Sequence, residues 1–297
     1  MLFPRLAGTL VVLGALAGCA TTTHMPMSGG AKGKIDSTSV VIGLHQQEIN
    51  AEINPSNAAA ATGGGLIGAL IEVALDSASA KRAEAAVSPV RNALLDYDFG
   101  SQFETVLANE LAGLPWLNAE SVRTLYGFGP DEQAEAIRGA NSEIVVVIDT
   151  LYSLSPDLDA LKITTRVNAY PKDAELVEIA EKEYPNQDPP LLYRNAFTYS
   201  HELDLSTSSK EQAAEIWASD GGARIRAALA KGMLVMAGMI ALDLDISRAP
   251  QNDKNLKLDE GRSETYNGVK GTLVSKDPDL VILRLPNGTL HAASNKQ

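Results

Sequence analysis

The chain has 297 residues and a formal net charge of −12, with 45% hydrophobic and only 5% aromatic residues. This excess of acid argues against nucleic acid and anionic lipid headgroups as partners, because both require a basic protein face. The hydrophobic content suffices for a real core, and the scarcity of aromatic rings favours close-packed helices over a carbohydrate-binding groove.

The N-terminal stretch combines a weakly positive start with a short apolar run. Arg5 directly precedes an apolar segment, Leu6 to Ala17. This segment has the length of a signal-peptide core and is too short to span a bilayer. It ends at Leu16-Ala17-Gly18-Cys19, and Cys19 is the only cysteine of the chain, so no disulfide competes for it. This arrangement resembles the lipobox of bacterial lipoproteins. A plain signal peptide with an incidental cysteine, or a short membrane anchor, is the alternative.

The lipobox resemblance implies an attachment and an address. In bacterial lipoproteins the chain is cut before the cysteine, whose sulfur takes a diacylglycerol and whose new amino group usually takes a fatty acid such as palmitate. Ala20 and Thr21 follow Cys19, where an aspartate would favour retention at the inner membrane. The resemblance therefore implies an outer-membrane lipoprotein facing the periplasm. Its membrane partner is reached through the lipid on Cys19, and no other cofactor is expected.

The first part of the body reads as a tether, a strand and helices. Ala20 to Asp36 is rich in Thr, Gly, Ser and Lys, which predicts a flexible tether. The alternation over Thr38–Leu44 predicts a strand. Helical spacing from about Leu66 to Ala112 predicts one long helix or two joined helices. A break is expected near Ser88-Pro89, where Ser88 would cap a restart and Pro89 would occupy its first turn.

A glycine pair within this helical region is the candidate contact face. Gly64 and Gly68 lie four residues apart, so both would share one side of a helix, and their missing side chains would let another helix approach closely. Three interpretations stay open: a membrane-inserted span, a contact with a partner or second copy, and packing on the domain's own sheet or helix. Glu72 and the weak hydrophobicity of the segment oppose the membrane span.

The middle of the chain predicts alternating strands with short helices. Pro130 to Gly139 predicts a short helix, and the apolar run within Glu143–Leu151 is typical of a strand buried on both faces. Leu161 to Ala169 predicts a half-buried strand whose outer face carries polar side chains: Lys162, Thr164, Arg166 and Asn168. Glu175–Tyr184 stays open between helix and strand, and Tyr193–Leu205 alternates as a further strand.

The C-terminal third predicts a long helix followed by a small β-structure. Lys210 to about Asp245 has the spacing of an amphipathic helix in two pieces, separated at Asp220-Gly221-Gly222. A stripe of three methionines, Met233, Met236 and Met239, is interpreted as core. Arg248 to Arg262 is a polar linker, and Val269 to Ala293 predicts a β-meander with an Asn-Gly turn.

Residue types that carry catalysis are present without a recognisable pattern. The four histidines share no metal-ligand spacing, which argues against a metal site: His24, His45, His201 and His291. His201, on the apolar face of a strand, is interpreted as a core or edge residue. Three close acid pairs could bind calcium or act as acid and base, but their contexts favour turns and solvated helix ends: Asp157/Asp159, Asp243/Asp245 and Asp277/Asp279. No catalytic residue is predicted, and the chain is not expected to be an enzyme.

The element order predicts an α+β fold with a small, mostly antiparallel sheet covered by two long helices, plus a C-terminal β-meander. The predicted division is a signal peptide (1–18), a tether (19–37), an α+β periplasmic domain (38–247), a linker (248–265) and a small β module (266–297). The body resembles periplasmic α/β lipoproteins, among them the transport-auxiliary lipoproteins and the curli secretion lipoprotein. Two stretches, Gly63–Phe99 and Glu211–Gly222, also resemble uncharacterised proteobacterial lipoproteins.

Three hypotheses for function follow from the anchor and this resemblance. The first is a non-enzymatic lipoprotein that serves envelope assembly or transport as an accessory, through contacts with an unknown envelope protein. The second is a homo-oligomeric envelope or secretion component that associates through Gly64 and Gly68. The third is a carrier that holds a small or lipidic ligand between sheet and helices. Nucleic acid is not expected as a partner in any of them.

Overall fold

The computed structural model describes residues 24–52, 78–204, 209–246 and 263–294. Ten strands lie in these ranges: β1 (Thr38–Leu44), β2 (Asn50–Ala51), β3 (Ala119–Tyr126), β4 (Ile144–Leu154), β5 (Ala160–Pro171), β6 (Tyr193–Glu202), β7 (Ser263–Tyr266), β8 (Val269–Asp277), β9 (Leu280–Arg284) and β10 (Leu290–Ser294). The same ranges contain five α-helices: α1 (Ala78–Ala93), α2 (Phe99–Leu111), α3 (Pro130–Gly139), α4 (Ala174–Glu183) and α5 (Lys210–Ile246).

All ten strands belong to one sheet, in the order β3-β1-β4-β5-β6-β10-β9-β8-β7, with β2 beside β4. β1 runs parallel to both β3 and β4, whereas β5 lies between β4 and β6 and runs antiparallel to both. β10 runs parallel to β6 and antiparallel to β9, so the C-terminal meander extends the main sheet. The predicted mixed, mostly antiparallel fold is confirmed.

The predicted size of the sheet and the predicted number of helices are wrong. The sheet is large because β3 and the C-terminal strands join it, and five helices rather than two are found in the described ranges. α1 and α2 together occupy the first predicted helical region, and the remaining helices besides α5 are the short α3, which the sequence predicted at Pro130–Gly139, and α4. The predicted linker falls largely on residues outside the described ranges, so the division into domains stays a prediction.

One face of the sheet packs under α1, α2 and α5. Alternate side chains of the strands point to this helix-covered face and are buried, among them Val40, Ile42, Ile148, Val167 and Phe197. Trp217 and Phe103 fill the helical layer above them and are fully buried. α5 lies so close to the sheet that a Cβ at Gly232 would come within 2.5 Å of Ile163 and 2.8 Å of Tyr199.

Helix α5 is interrupted where the sequence predicted. Ser219 to Gly222 have non-helical backbone angles, and positive φ values at Asp220, Gly221 and Gly222 turn the chain. The methionine stripe that follows is buried, which confirms its interpretation as core. α5 is long and apolar enough to cross a membrane, yet 56% of its most apolar window is already buried inside the protein. It therefore serves as a core helix in this fold.

The opposite side of the sheet, here called the open face, is largely polar. A smaller apolar cluster lies where Phe128 and Ala136 of the α3 region pack on Val145 and Val147. The remainder presents half-buried polar and charged side chains: Lys162, Thr164, Arg166, Arg194 and Thr198. The predicted outward orientation of Lys162, Thr164 and Arg166 on β5 is confirmed, whereas Asn168, on the same face, is buried.

The predicted helix break near Ser88-Pro89 is wrong. α1 continues through exposed Pro89 to Ala93, and the break falls at residues 94–98 instead. Asp98 caps the new helix, since its Oδ1 accepts a hydrogen bond from the Ser101 backbone N–H at 3.0 Å. The predicted start of the helical region at Leu66 lies outside the described residues.

Candidate functional site

A buried aspartate lies where four parts of the chain meet. Asp243, near the end of α5, has only 1% of its side chain exposed. Its Oδ2 accepts hydrogen bonds from Tyr193 Oη at 2.6 Å and from Asn195 Nδ2 at 2.8 Å, both on β6. Arg284 at the end of β9 places Nη2 2.9 Å from Oδ1. His24, in the N-terminal segment, places Nε2 3.4 Å from Oδ2.

These neighbours keep the Asp243 carboxylate charged. Burial alone would raise the pKa of Asp243, but the nearby His24, the hydrogen bond from Tyr193 and the charge of Arg284 outweigh burial and lower the pKa to about 2. The pKa of Tyr193 is raised well above its usual value, first by burial and then by the adjacent Asp243 charge. The phenol therefore stays protonated and donates to the carboxylate.

The contacts of Asp243 suit a structural role, in which α5 is linked to its neighbouring segments, better than proton transfer. Both Asp243 oxygens accept from donors. Because its pKa is low, the carboxylate is a poor general base near neutral pH. A carboxylate at the C-terminal end of a helix is opposed by the helix dipole, and the Arg284 guanidinium offsets that effect. The prediction that Asp243 belongs to a solvated helix end is wrong, because the chain folds a hairpin over it.

A glycine makes room for the histidine of this cluster. Gly288, in the β9–β10 turn, has φ +85°, and a Cβ there would lie 2.3 Å from the Cβ of His24. Its carbonyl accepts hydrogen bonds from Arg284 Nη1 at 3.1 Å and from Asn195 Nδ2 at 3.4 Å. The turn therefore closes over His24 and holds two partners of the aspartate at the same time.

The N-terminal segment is hydrogen-bonded to β6 beside this cluster. Met25 and Arg194 exchange two backbone hydrogen bonds, of 2.7 and 3.0 Å, and Ser28 N–H donates to Leu192 at 3.1 Å. Several side chains of the segment are buried: Met25, Met27, Ser28, Ala31 and Ile35. The predicted flexible tether is therefore wrong for residues 24–37, because apolar residues among the Gly, Ser and Lys positions pack into the core. Residues 19–23 lie outside the described ranges.

The other sequence-predicted site residues also lie outside the described ranges. Cys19, the predicted lipidation position, precedes the first described residue, His24, by five positions. Gly64 and Gly68 fall between Glu52 and Ala78, where no residue is described. Lipidation at Cys19 and the glycine contact face therefore stay predictions.

A second histidine–aspartate pair lies on the open face. His45 directly follows β1, and its Nε2 is 2.6 Å from Asp149 Oδ1 on the neighbouring parallel strand β4. The Asp149 hydrogen bond outweighs burial and raises the pKa of His45, and the Phe128 backbone carbonyl adds to the effect. The contact ties β1 to β4, and it is an ion pair when His45 is protonated.

His201 and His291 are partly buried in the sheet. His201 Nδ1 lies 3.0 Å from Ser294 Oγ and 3.3 Å from Tyr199 Oη, which confirms its interpretation as an edge or core residue with partners. Burial lowers the pKa of His201, and Lys231 and Arg224 lower it further. Ser294 is 1% exposed, so this serine–histidine contact is closed to a substrate. Burial also lowers the pKa of His291.

A groove borders β3, which is the last strand at one end of the sheet among the described residues. β3 ends the strand order on one side, and most of its side chains are exposed or half-buried. The groove between β3 and α2 has a volume of about 690 Å³. Residues on both walls line it: Glu104, Thr105, Ala108, Leu111, Ala112, Leu114, Pro115, Asn118, Ala119, Glu120, Ser121 and Val122.

Neither the Asp243 cluster nor the β3 groove has a recognisable motif in the sequence. The residues of the Asp243 cluster come from positions 24 to 284 with no shared spacing, so a local motif could not reveal the cluster. The only signal was Asp243 itself, which interrupts the apolar face of an amphipathic helix. Among the described residues, no group of three or more His, Cys, Asp or Glu is placed to hold a metal ion.

No protein-family model matches the sequence, and no curated protein matches it.

Proposed function

We propose that this chain is a lipid-anchored envelope protein, fixed to the outer membrane through Cys19 and facing the periplasm. It acts without catalysis, as an assembly or transport accessory that binds an envelope protein. The lipobox-like Leu16-Ala17-Gly18-Cys19 supports the anchor, and the fastened N-terminal segment supports a body held close to the membrane.

The short distance along the chain between Cys19 and His24 carries this proposal. Five peptide units separate the two residues, so their Cα atoms can be no more than about 18 Å apart. Because His24 is already packed beside Asp243, a lipid on Cys19 would hold this end of the body against the membrane surface. A partner at the same membrane would then meet the body at a restricted height and orientation.

Fractionation of cells that express the full chain tests the anchor. The Cys19→Ala variant should move from the membrane fraction to the soluble fraction, because the sulfur that accepts the lipid is gone. Thr21→Ala, two residues along, is the matched control and should stay with the membrane. Retention of the Cys19→Ala protein at the wild-type level would refute anchoring through this residue.

The β3 edge supports a partner contact by strand addition. An edge strand presents unpaired backbone N–H and C=O groups, which an extended segment of another protein can complete. β3 has eight residues, against four in β7 at the opposite edge of the sheet. The neighbouring groove offers room for the side chains of such a segment.

Site-specific photo-crosslinking in the envelope tests this contact. A photoreactive residue at exposed Ser121 on β3 should capture a partner, since it would lie beside the added strand. The same residue at exposed Glu181 on α4 is the matched control and should capture none. Equal capture at both positions, or none at Ser121, would remove β3 as the contact surface.

A further inference from the structure

Two arginines lie side by side on the open face. Arg166 of β5 is opposite Ala196, and Arg194 of β6 is opposite Asn168, which makes the two arginines diagonal cross-strand neighbours. Diagonal neighbours on one sheet face lie about 7–8 Å apart, within reach of long side chains. Both side chains are half-buried. Their guanidinium groups can therefore converge on one small ligand.

Two acids near the arginines already have other partners. Asp149, opposite Arg166, holds His45 at 2.6 Å, and Glu52 holds Lys162 at 2.7 Å. Arg194 Nε donates to the neutral amide oxygen of Asn168 at 3.1 Å. Within the described ranges, neither Arg166 nor Arg194 forms an ion pair with an acid. Among the described residues, the two arginines therefore lie beside each other with no carboxylate paired to either.

Such a pair is electrostatically unfavourable until an anion joins it. Burial lowers the pKa of Arg194, and the charge of Arg166 lowers it further. Tyr170, on the same face, accepts a hydrogen bond from Gln133 at 2.8 Å, which leaves its O–H to donate. The face therefore offers two guanidinium forks and a hydroxyl donor to one oxyanion.

We propose that the open face binds a phosphate group between Arg166 and Arg194, with Tyr170 as an additional donor. A guanidinium donates two parallel hydrogen bonds to a phosphate, and two positive charges match a dianion better than a carboxylate. The phosphate belongs either to a soluble molecule or to a lipid headgroup at the anchoring membrane. Binding at these arginines does not require lipid on Cys19, so it can hold or fail independently of the proposed anchor.

Calorimetry with inorganic phosphate on the detergent-extracted full chain tests the site. The wild type should bind, and Arg166→Gln and Arg194→Gln should each raise Kd by about tenfold, because each removes a charge-assisted contact. Arg123→Gln, at an exposed position on β3, removes the same charge elsewhere and should leave Kd unchanged. Equal losses in all three variants would overturn the site.

Vesicle flotation distinguishes the two sources of phosphate. The full chain with Cys19→Ala is mixed with phosphatidylcholine vesicles that contain or lack phosphatidic acid. Flotation that requires phosphatidic acid and is lost in Cys19→Ala/Arg166→Gln assigns the site to a headgroup. Binding of inorganic phosphate without flotation assigns it to a soluble ligand. Absence of both would overturn the proposal.

Discussion

Three consecutive residues of β6 lead to two very different charged sites. Tyr193 and Asn195 point to the helix-covered face and donate to Asp243, whose charge is enclosed by four partners. Arg194 points to the open face, where it neighbours Arg166 and no described acid pairs with either. The Asp243 charge is therefore part of the fold, whereas the charges of Arg166 and Arg194 are available to the proposed ligand. The two sites should therefore respond differently to substitution and to pH.

The largest difference is expected from removing the enclosed charge. Asp243→Ala should lower the free energy of unfolding by about 3–5 kcal/mol, because Arg284 and two buried donors lose their acceptor. Asp245→Ala, at an exposed position two residues along α5, should cost less than about 1 kcal/mol. Urea unfolding of the two variants measures both effects. Similar midpoints for the pair would mean that Asp243 is not a folding charge.

The turn that covers His24 offers a second way to disturb the enclosed site. Gly288→Ala and Gly268→Ala share the strain of a positive φ, +85° and +78°, but only at Gly288 would the new Cβ meet His24. Gly288→Ala should therefore cost about 1–3 kcal/mol more than Gly268→Ala. Thermal unfolding of the two variants isolates the contact. Equal losses would show that the N-terminal segment shifts freely.

Acid should lower the free energy of unfolding by protonating Asp243 on the helix-covered face. The folded pKa of about 2 lies below the ordinary 3.8, so the charged carboxylate stabilises the fold above pH 4. That contribution, about 2 kcal/mol, should be lost as the pH falls from about 4 to 2. Denaturant unfolding across this range should show a shallower decline for Asp243→Asn than for the wild type. Parallel declines would contradict the assignment.

The strands and the core followed from the sequence because their causes are local. Alternation along β5 told which side chains are buried, and α5 turned at Asp220-Gly221-Gly222 as its glycines indicated. β3 was missed because an edge strand needs no apolar alternation. The size of the sheet was missed because parallel pairing of β10 with β6 joins segments about 90 residues apart.

The charged sites could not be predicted in this way. Four residues meet at Asp243 only because the N-terminal segment and the β9–β10 turn fold over the end of α5. The net charge of −12 argued against binding of anionic groups, yet a sum over the chain does not register two neighbouring arginines on one face. The polar side of β5 was foreseen, whereas its register against β6 was not.

The His45–Asp149 pair should give the open face the opposite dependence on pH. The hydrogen bond to Asp149 raises the pKa of His45 above 6.5, so the pair stabilises the fold below that pH. The contribution should be lost as the pH rises through the raised pKa. His45→Gln should reduce the dependence of the unfolding free energy on pH in this range, and Asp243→Asn should not. A wild-type curve that matches His45→Gln would contradict the ion pair.

The smallest effect on folding is expected at Arg166. Arg166→Gln should change the free energy of unfolding in phosphate-free buffer by less than about 0.5 kcal/mol, because no described partner depends on its guanidinium. Addition of phosphate should then raise the melting temperature of the wild type but not of Arg166→Gln, since only a bound ligand stabilises the folded state. If Arg166→Gln destabilised the protein as strongly as Asp243→Ala, both charges would serve folding, and the distinction between the faces would fail.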